Sequence, residues 1–274
     1  MATTTHFTAP SSTSSPLALW HLLSLDAPTV AALWTCFLAR AAHVSIPAAL
    51  PAAMFLAVWL VYAADRLLDS RHLLSHRHQN LNELEARHLF HFRHRRVFLA
   101  IMPVAGVAIT ALLPELLRAT LSLYLVEASL LLGWFILVHT TRSRLPKELV
   151  VGLYFAAAAF TPTLVRRPRA SAEMLLDAAL FAVLCMLNCL FIHAWQRGIW
   201  SPQRALAGAT AIVCALSVIS AVASTARAVP TACALSAAAL LVVNHFRCHF
   251  SRTHLRAAAD FVLLTPALLL PFLR

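Results

Sequence analysis

Long apolar runs, each close to the width of a bilayer core, recur along the chain from residue 26 to its end, with short polar stretches between them. A helix needs about 20 residues to cross the hydrocarbon core, so the pattern predicts about nine spans. They fall near 27–45, 47–69, 97–114, 118–139, 146–165, 174–196, 204–225, 228–246 and 256–273. Only a short segment from His43 to Pro47 divides the first two. The runs are rich in Ala and Leu and poor in Gly, and they do not alternate apolar with polar residues. That favours helices and excludes a transmembrane barrel. Pro146, Pro202 and Pro266 mark breaks, turns or kinks. The predicted fold is an all-α polytopic membrane protein.

The first 25 residues differ from the rest. They hold no Lys or Arg and many Ser, Thr and Pro. A secretory signal needs a basic start, so residues 1–25 read as a disordered tail. Residues 26–274 then form a single transmembrane domain, opened by Asp26-Ala-Pro28, a helix-start signature.

Composition agrees: 60% of residues are hydrophobic and 12% charged, against about 25% charged in soluble domains. The formal charge is +11, and every basic residue except Lys147 is an arginine. Most of these fall on the side that holds the N-terminus, in the stretches after the second, fourth, sixth and eighth spans. Basic loops stay in the cytoplasm. The expected orientation therefore has the N-terminus cytoplasmic and, with nine spans, the C-terminus outside, in a bacterial inner membrane. Such a basic rim attracts anionic lipids and substrates and is no argument for nucleic acid.

The six cysteines fall in or at the end of predicted spans and read as small apolar fillers. The loop 70–96 holds His72, His76, His78, His88, His91 and His94 among many arginines. Imidazoles bind zinc, but the arginines repel cations. The loop reads as a cytoplasmic amphipathic cap lying on lipid headgroups.

The sharpest chemistry lies where the second apolar run ends, in Val61-Tyr-Ala-Ala-Asp65-Arg66-Leu-Leu-Asp69. Residues four apart share a helix face, so Asp65 and Asp69 point the same way at a membrane edge. Two acids so placed repel each other, and a divalent cation such as Mg²⁺ relieves the repulsion while bridging to a substrate phosphate. Within the spans, Asn188 and Glu127 are polar groups that must find partners or line a cavity. Asp177 and Asp260 lie near helix starts, where the dipole favours acids, and read as structural.

About nine spans and an Asp-Arg-x-x-Asp closing the second resemble the UbiA-type superfamily of intramembrane prenyltransferases. Leu145-Pro-Lys147-Glu-Leu-Val-Val-Gly152, a basic segment before a helix with an early glycine, is similar to that family as well. The resemblance implies a UbiA-like bundle in which the ends of the second and sixth spans meet at one cavity, with loop 70–96 over or beside it. It implies that Asp65 and Asp69 hold Mg²⁺, which holds a prenyl diphosphate. Arg66 and Lys147 would contact the diphosphate, and the prenyl group would pass to a lipophilic acceptor. The family's second acidic motif is replaced here: Asn188, Ile192 and Gln196 stand at its spacing, leaving two amides as substrate-binding candidates. Two alternatives accompany this reading, a terpene cyclase of the same type and a non-catalytic lipid- or partner-binding protein on the same fold.

Overall fold

The computed structural model describes residues 15–75, 86–141, 147–167, 171–197 and 201–273. Helices α1 (Pro16–Leu22), α2 (Asp26–Ala41), α3 (Ala49–Ser75), α4 (Ala86–Arg93), α5 (Arg95–Leu112) and α6 (Arg118–Thr141) form its first half. Helices α7 (Lys147–Arg166), α8 (Ala172–Arg197), α9 (Ser201–Ala223), α10 (Ala228–His245), α11 (Arg252–Phe261) and α12 (Pro266–Leu269) complete it, and no strand occurs among the described residues. Among the described residues, seven stretches are long and apolar enough to cross a membrane: 49–68, 95–115, 148–166, 172–196, 203–223, 228–245 and 252–272. The pair α1 and α2, bent by 90° at their junction, would make an eighth. The chain is thus an all-helical integral membrane protein.

Helix boundaries lie close to those expected from the pattern, with two exceptions. Pro16–Leu22 falls inside the stretch read as a disordered tail, yet it is helical and packed. Ser15 caps it by accepting from the Ala18 amide, while Ala18, His21 and Leu22 are buried. Seven residues are too few for a helix to hold alone, so this one depends on tertiary packing against α4 and α11, which sequence periodicity does not report. Residues 1–14 lie outside the described residues. The last expected span is not one continuous helix. It breaks into α11, a 3₁₀ turn at Val262–Leu264, α12 and a final 3₁₀ turn at Leu270–Phe272. Pro266 and Pro271 lack the amide protons that a continuous helix would use there.

The largest core cluster joins α2, α7, α8 and α10. Trp34 lies at its centre, stacked on Phe181 with ring centroids 4.0 Å apart, and its indole nitrogen donates to the Leu263 carbonyl at 2.9 Å. Buried indole needs such a partner. By contrast α5, α6 and α9 leave Val104, Val107, Leu132, Ile219 and Val222 exposed. Apolar faces of this extent suit lipid rather than water. All six cysteines are free thiols, and Cys185 and Cys233 fill gaps in the main core.

Helices α7 and α8 are in close backbone contact at Gly152. A β-carbon there would lie 2.9 Å from the Met186 amide nitrogen and 3.0 Å from the Ala182 carbonyl oxygen. Both are backbone atoms of α8 and cannot swing aside. Small residues permit such backbone contact between membrane helices. Gly152→Ala is therefore expected to cost about 1–3 kcal/mol, the usual penalty of overpacking. It should lower the thermal unfolding midpoint of the detergent-solubilised protein. An unchanged midpoint would mean that the two helices separate freely.

Candidate functional site

The polar centre of the molecule is built at the sharp corner between α1 and α2. Ser24 turns that corner with φ 60°, the left-handed region. A non-glycine residue there costs about 1–2 kcal/mol. Its hydroxyl offers the compensation. Fully buried, Ser24 Oγ accepts from the Arg66 guanidinium at 2.7 Å and shares a hydrogen bond of 3.0 Å with His91 Nε2. The same Arg66 nitrogen, Nη1, also donates to the His21 carbonyl at 2.8 Å. Its other terminal nitrogen lies 3.6 Å from Asp26 Oδ2. Asp26, completely buried at the first turn of α2, is hydrogen-bonded to His21 Nδ1. One guanidinium from α3 thereby ties down α1, α2 and, through Ser24, α4.

A second polar pair completes the centre. Asn188 of α8 donates through Nδ2 to Asp260 Oδ1 of α11 at 3.0 Å. One ligand atom each from His21, Asp26 and Asp260 lies within 4.8 Å of the others. A cavity of about 30 Å³ adjoins them, lined in part by Tyr62, Asn188, Cys189 and Asp260. It has room for a water or an ion but not for a diphosphate. Asn188 Oδ1, on the cavity lining, has no hydrogen-bond partner, and neither do Asp26 Oδ1 and Arg66 Nη2 of the same polar cluster. The Arg66 charge acts on the Asp26 carboxyl and the Arg256 charge on the Asp260 carboxyl. The positive charges balance the acids without a metal and oppose a divalent ion in the same space.

The structure divides the residues singled out from the sequence. Arg66 points inward to Asp26, and Asn188 points inward to Asp260, so these two belong to one polar centre. Asp65 is half-buried on α3 and lies outside the cavity lining. Asp69 continues the same helix one turn further, and Lys147 opens α7, but both side chains lie outside the described residues. Gln196 is half-buried two turns beyond Asn188 and does not line the cavity. Of loop 70–96, residues 76–85 lie outside the described residues, while α4 brings His91 onto Ser24.

Other polar residues have specific local roles. His193 pairs with Glu148 at 3.2 Å, away from Asn188. Trp195 donates to Asn244 of α10 at 3.1 Å. Glu127 accepts from Thr161 of α7. Asp177 lies beside a wider recess of about 730 Å³, which also meets His43, Arg167 and Glu173.

Sequence reasoning missed four members of the centre: His21, Ser24, Asp26 and Asp260. Asp26 was legible only as a helix start and Asp260 only as a dipole-stabilised acid. Their signal was their position as lone acids against apolar helical runs, where ionisable groups turn to the bundle interior. Comparison with family models, curated proteins and solved structures finds no match to this chain.

Removing one partner of a buried ion pair costs about 3–5 kcal/mol, because the other charge is stranded. Asp26→Asn or Arg66→Met alone should lower stability by that amount. The double variant should cost clearly less than the two singles added together. Asp65→Asn should change stability by less than about 1 kcal/mol, as substitutions outside a buried network do. Denaturant unfolding of the four proteins measures this, and strictly additive losses would sink the pairing.

Proposed function

We propose that this chain is a membrane enzyme resembling the UbiA-type prenyltransferases. It would ionise a prenyl diphosphate with the help of Mg²⁺ and transfer the prenyl group to a lipophilic acceptor. The observation that carries the reading is the meeting of α3, α8 and α11 at one small cavity, where Tyr62, Asn188 and Asp260 contribute polar groups to a mostly apolar lining. The α8 positions that hold amides in place of acids are thereby supplemented by a carboxyl from α11, hydrogen-bonded to Asn188. On α3, Asp65 lies three residues beyond Tyr62, which places it next along the same helix toward the membrane edge.

The roles follow from charge and donor chemistry. Asp65 and Asp69 offer hard carboxylate oxygens one turn apart on a continuous helix, a donor set that fits Mg²⁺. When bound, the ion supplies charge stabilisation to the departing diphosphate. Lys147, at the start of α7, would draw the diphosphate as it leaves. Arg66 would serve as a positioning residue, since its guanidinium is committed to Asp26, His21 and Ser24 and fixes the α3 turn that carries Asp65. Asn188 and Gln196 would contribute neutral amides to the substrate's polar end. The small inner cavity cannot hold the diphosphate, so the substrate headgroup would occupy the wet end of α3. In this reading the protein sits in a bacterial inner membrane as a bundle of about nine spans, N-terminus cytoplasmic and C-terminus outside.

The test is incubation of the purified protein with labelled prenyl diphosphates, Mg²⁺ and candidate acceptors. Diphosphate release should require Mg²⁺ and fall at least about 100-fold in Asp65→Asn or Asp69→Asn, the loss of a few kcal/mol of leaving-group stabilisation. Asn188→Asp should strengthen the Mg²⁺ dependence. Release with an acceptor adduct supports transfer, whereas release as hydrocarbon assigns the chain to terpene cyclisation instead. No release across chain lengths and acceptors would overturn the enzyme reading in favour of a non-catalytic lipid- or partner-binding protein.

A further inference from the structure

A separate recess lies further along α3, away from the polar centre. It is a groove of about 370 Å³ between α3, α4, α5 and the α1–α2 corner, bounded by Leu23, Leu25, Trp59, Phe90, Phe98 and Ala105. That volume falls within the range of small-molecule sites, roughly 300–1,000 Å³. Apart from the His94 ring, its walls are apolar side chains. The walls are fixed from behind. Trp59 Nε1 donates to the Leu23 carbonyl at 3.2 Å, His91 bonds Ser24 and stacks on Phe98, and Phe90 lies against His94. An apolar groove held open by hydrogen bonds outside it is preformed for an apolar occupant.

Two observations identify that occupant. Val97 and Ile101, which line the groove, are themselves 55% and 46% exposed on the outer face of α5, so the groove opens toward the lipid. At its wet end Arg93, Arg95 and Arg96 are exposed, and Arg95 stacks over the Phe92 ring at 4.6 Å. Helices α4 and α5 themselves contain no Asp or Glu. Apolar walls beside a basic corner complement a molecule with a long hydrocarbon chain and a phosphate. We propose that this groove binds one acyl chain of an anionic phospholipid, with the phosphate held at the α4–α5 corner by Arg93, Arg95 and His94. This site is independent of the prenyl-transfer reading and uses none of its residues.

The proposal is tested by native mass spectrometry of the purified full-length protein in non-ionic detergent. It would be titrated with phosphatidylglycerol and with phosphatidylcholine of the same chains. Each Arg near a headgroup favours anionic lipid severalfold, so one phosphatidylglycerol should be retained about tenfold or more over phosphatidylcholine. Arg93→Gln/Arg95→Gln should abolish that preference. Ile101→Phe, a change at a half-exposed position, and Ala105→Trp, which fills the groove, should each remove the retained lipid. Ile101→Phe keeps the test valid if Ala105→Trp does not fold. Glycerol phosphate, which has the headgroup but no chain, should not compete. Equal retention of both lipids by the wild type would overturn the site. So would retention unchanged in Ile101→Phe, which would reduce the effect to surface charge alone, and so would competition by glycerol phosphate.

Discussion

One buried guanidinium organises the polar half of this bundle. Arg66 is almost fully excluded from solvent, and an isolated charge in such a place costs several kcal/mol. Its partners set where the surrounding elements must lie. Asp26 has to start α2 beside it, the His21 carbonyl has to face it from the end of α1, and Ser24 has to turn the corner between them. The left-handed backbone of Ser24 follows from that demand, since a corner of any other shape would move the hydroxyl away from both Arg66 and His91. Short helices α1 and α4, too weak to stand alone, are thereby docked by polar contacts together with the burial of Ala18, Leu22 and Phe90.

The same constraint shapes two neighbouring recesses along α3. At one, α3 meets α8 and α11 around a small cavity lined in part by Tyr62, Asn188 and Asp260. At the other, the docked α4 and α5 form an apolar groove. Helix α3 serves both, with Tyr62 in one lining and Trp59 in the other. Positions three apart on a helix are near neighbours, so the two sites share a wall about one side chain thick. Any shift of α3 along its axis would be felt in both.

Several polar groups inside the helices are used in pairs: Asn188 with Asp260, Trp195 with Asn244, Glu127 with Thr161. Each pair joins different helices. In an apolar solvent there is little hydrophobic force between helices, so hydrogen bonds and close backbone approach, as at Gly152, determine which neighbours meet.

The sequence by itself determined the class and most of the helix boundaries, because the bilayer imposes one length and one composition on any segment that crosses it. It also picked out Arg66 and Asn188 as polar positions that matter. It could not show that Arg66 turns inward, nor that Asp26, His21 and Asp260 belong with it. Those residues are up to 239 positions apart, counting from His21 to Asp260, and no local periodicity links them. Nor could it show α1, whose seven residues carry no helical pattern of their own and fold only because α4 and α11 lie alongside. Periodicity reports the face a helix buries. Which helix it is buried against, and therefore which distant charges meet, is decided only when the bundle closes and most buried polar groups find partners.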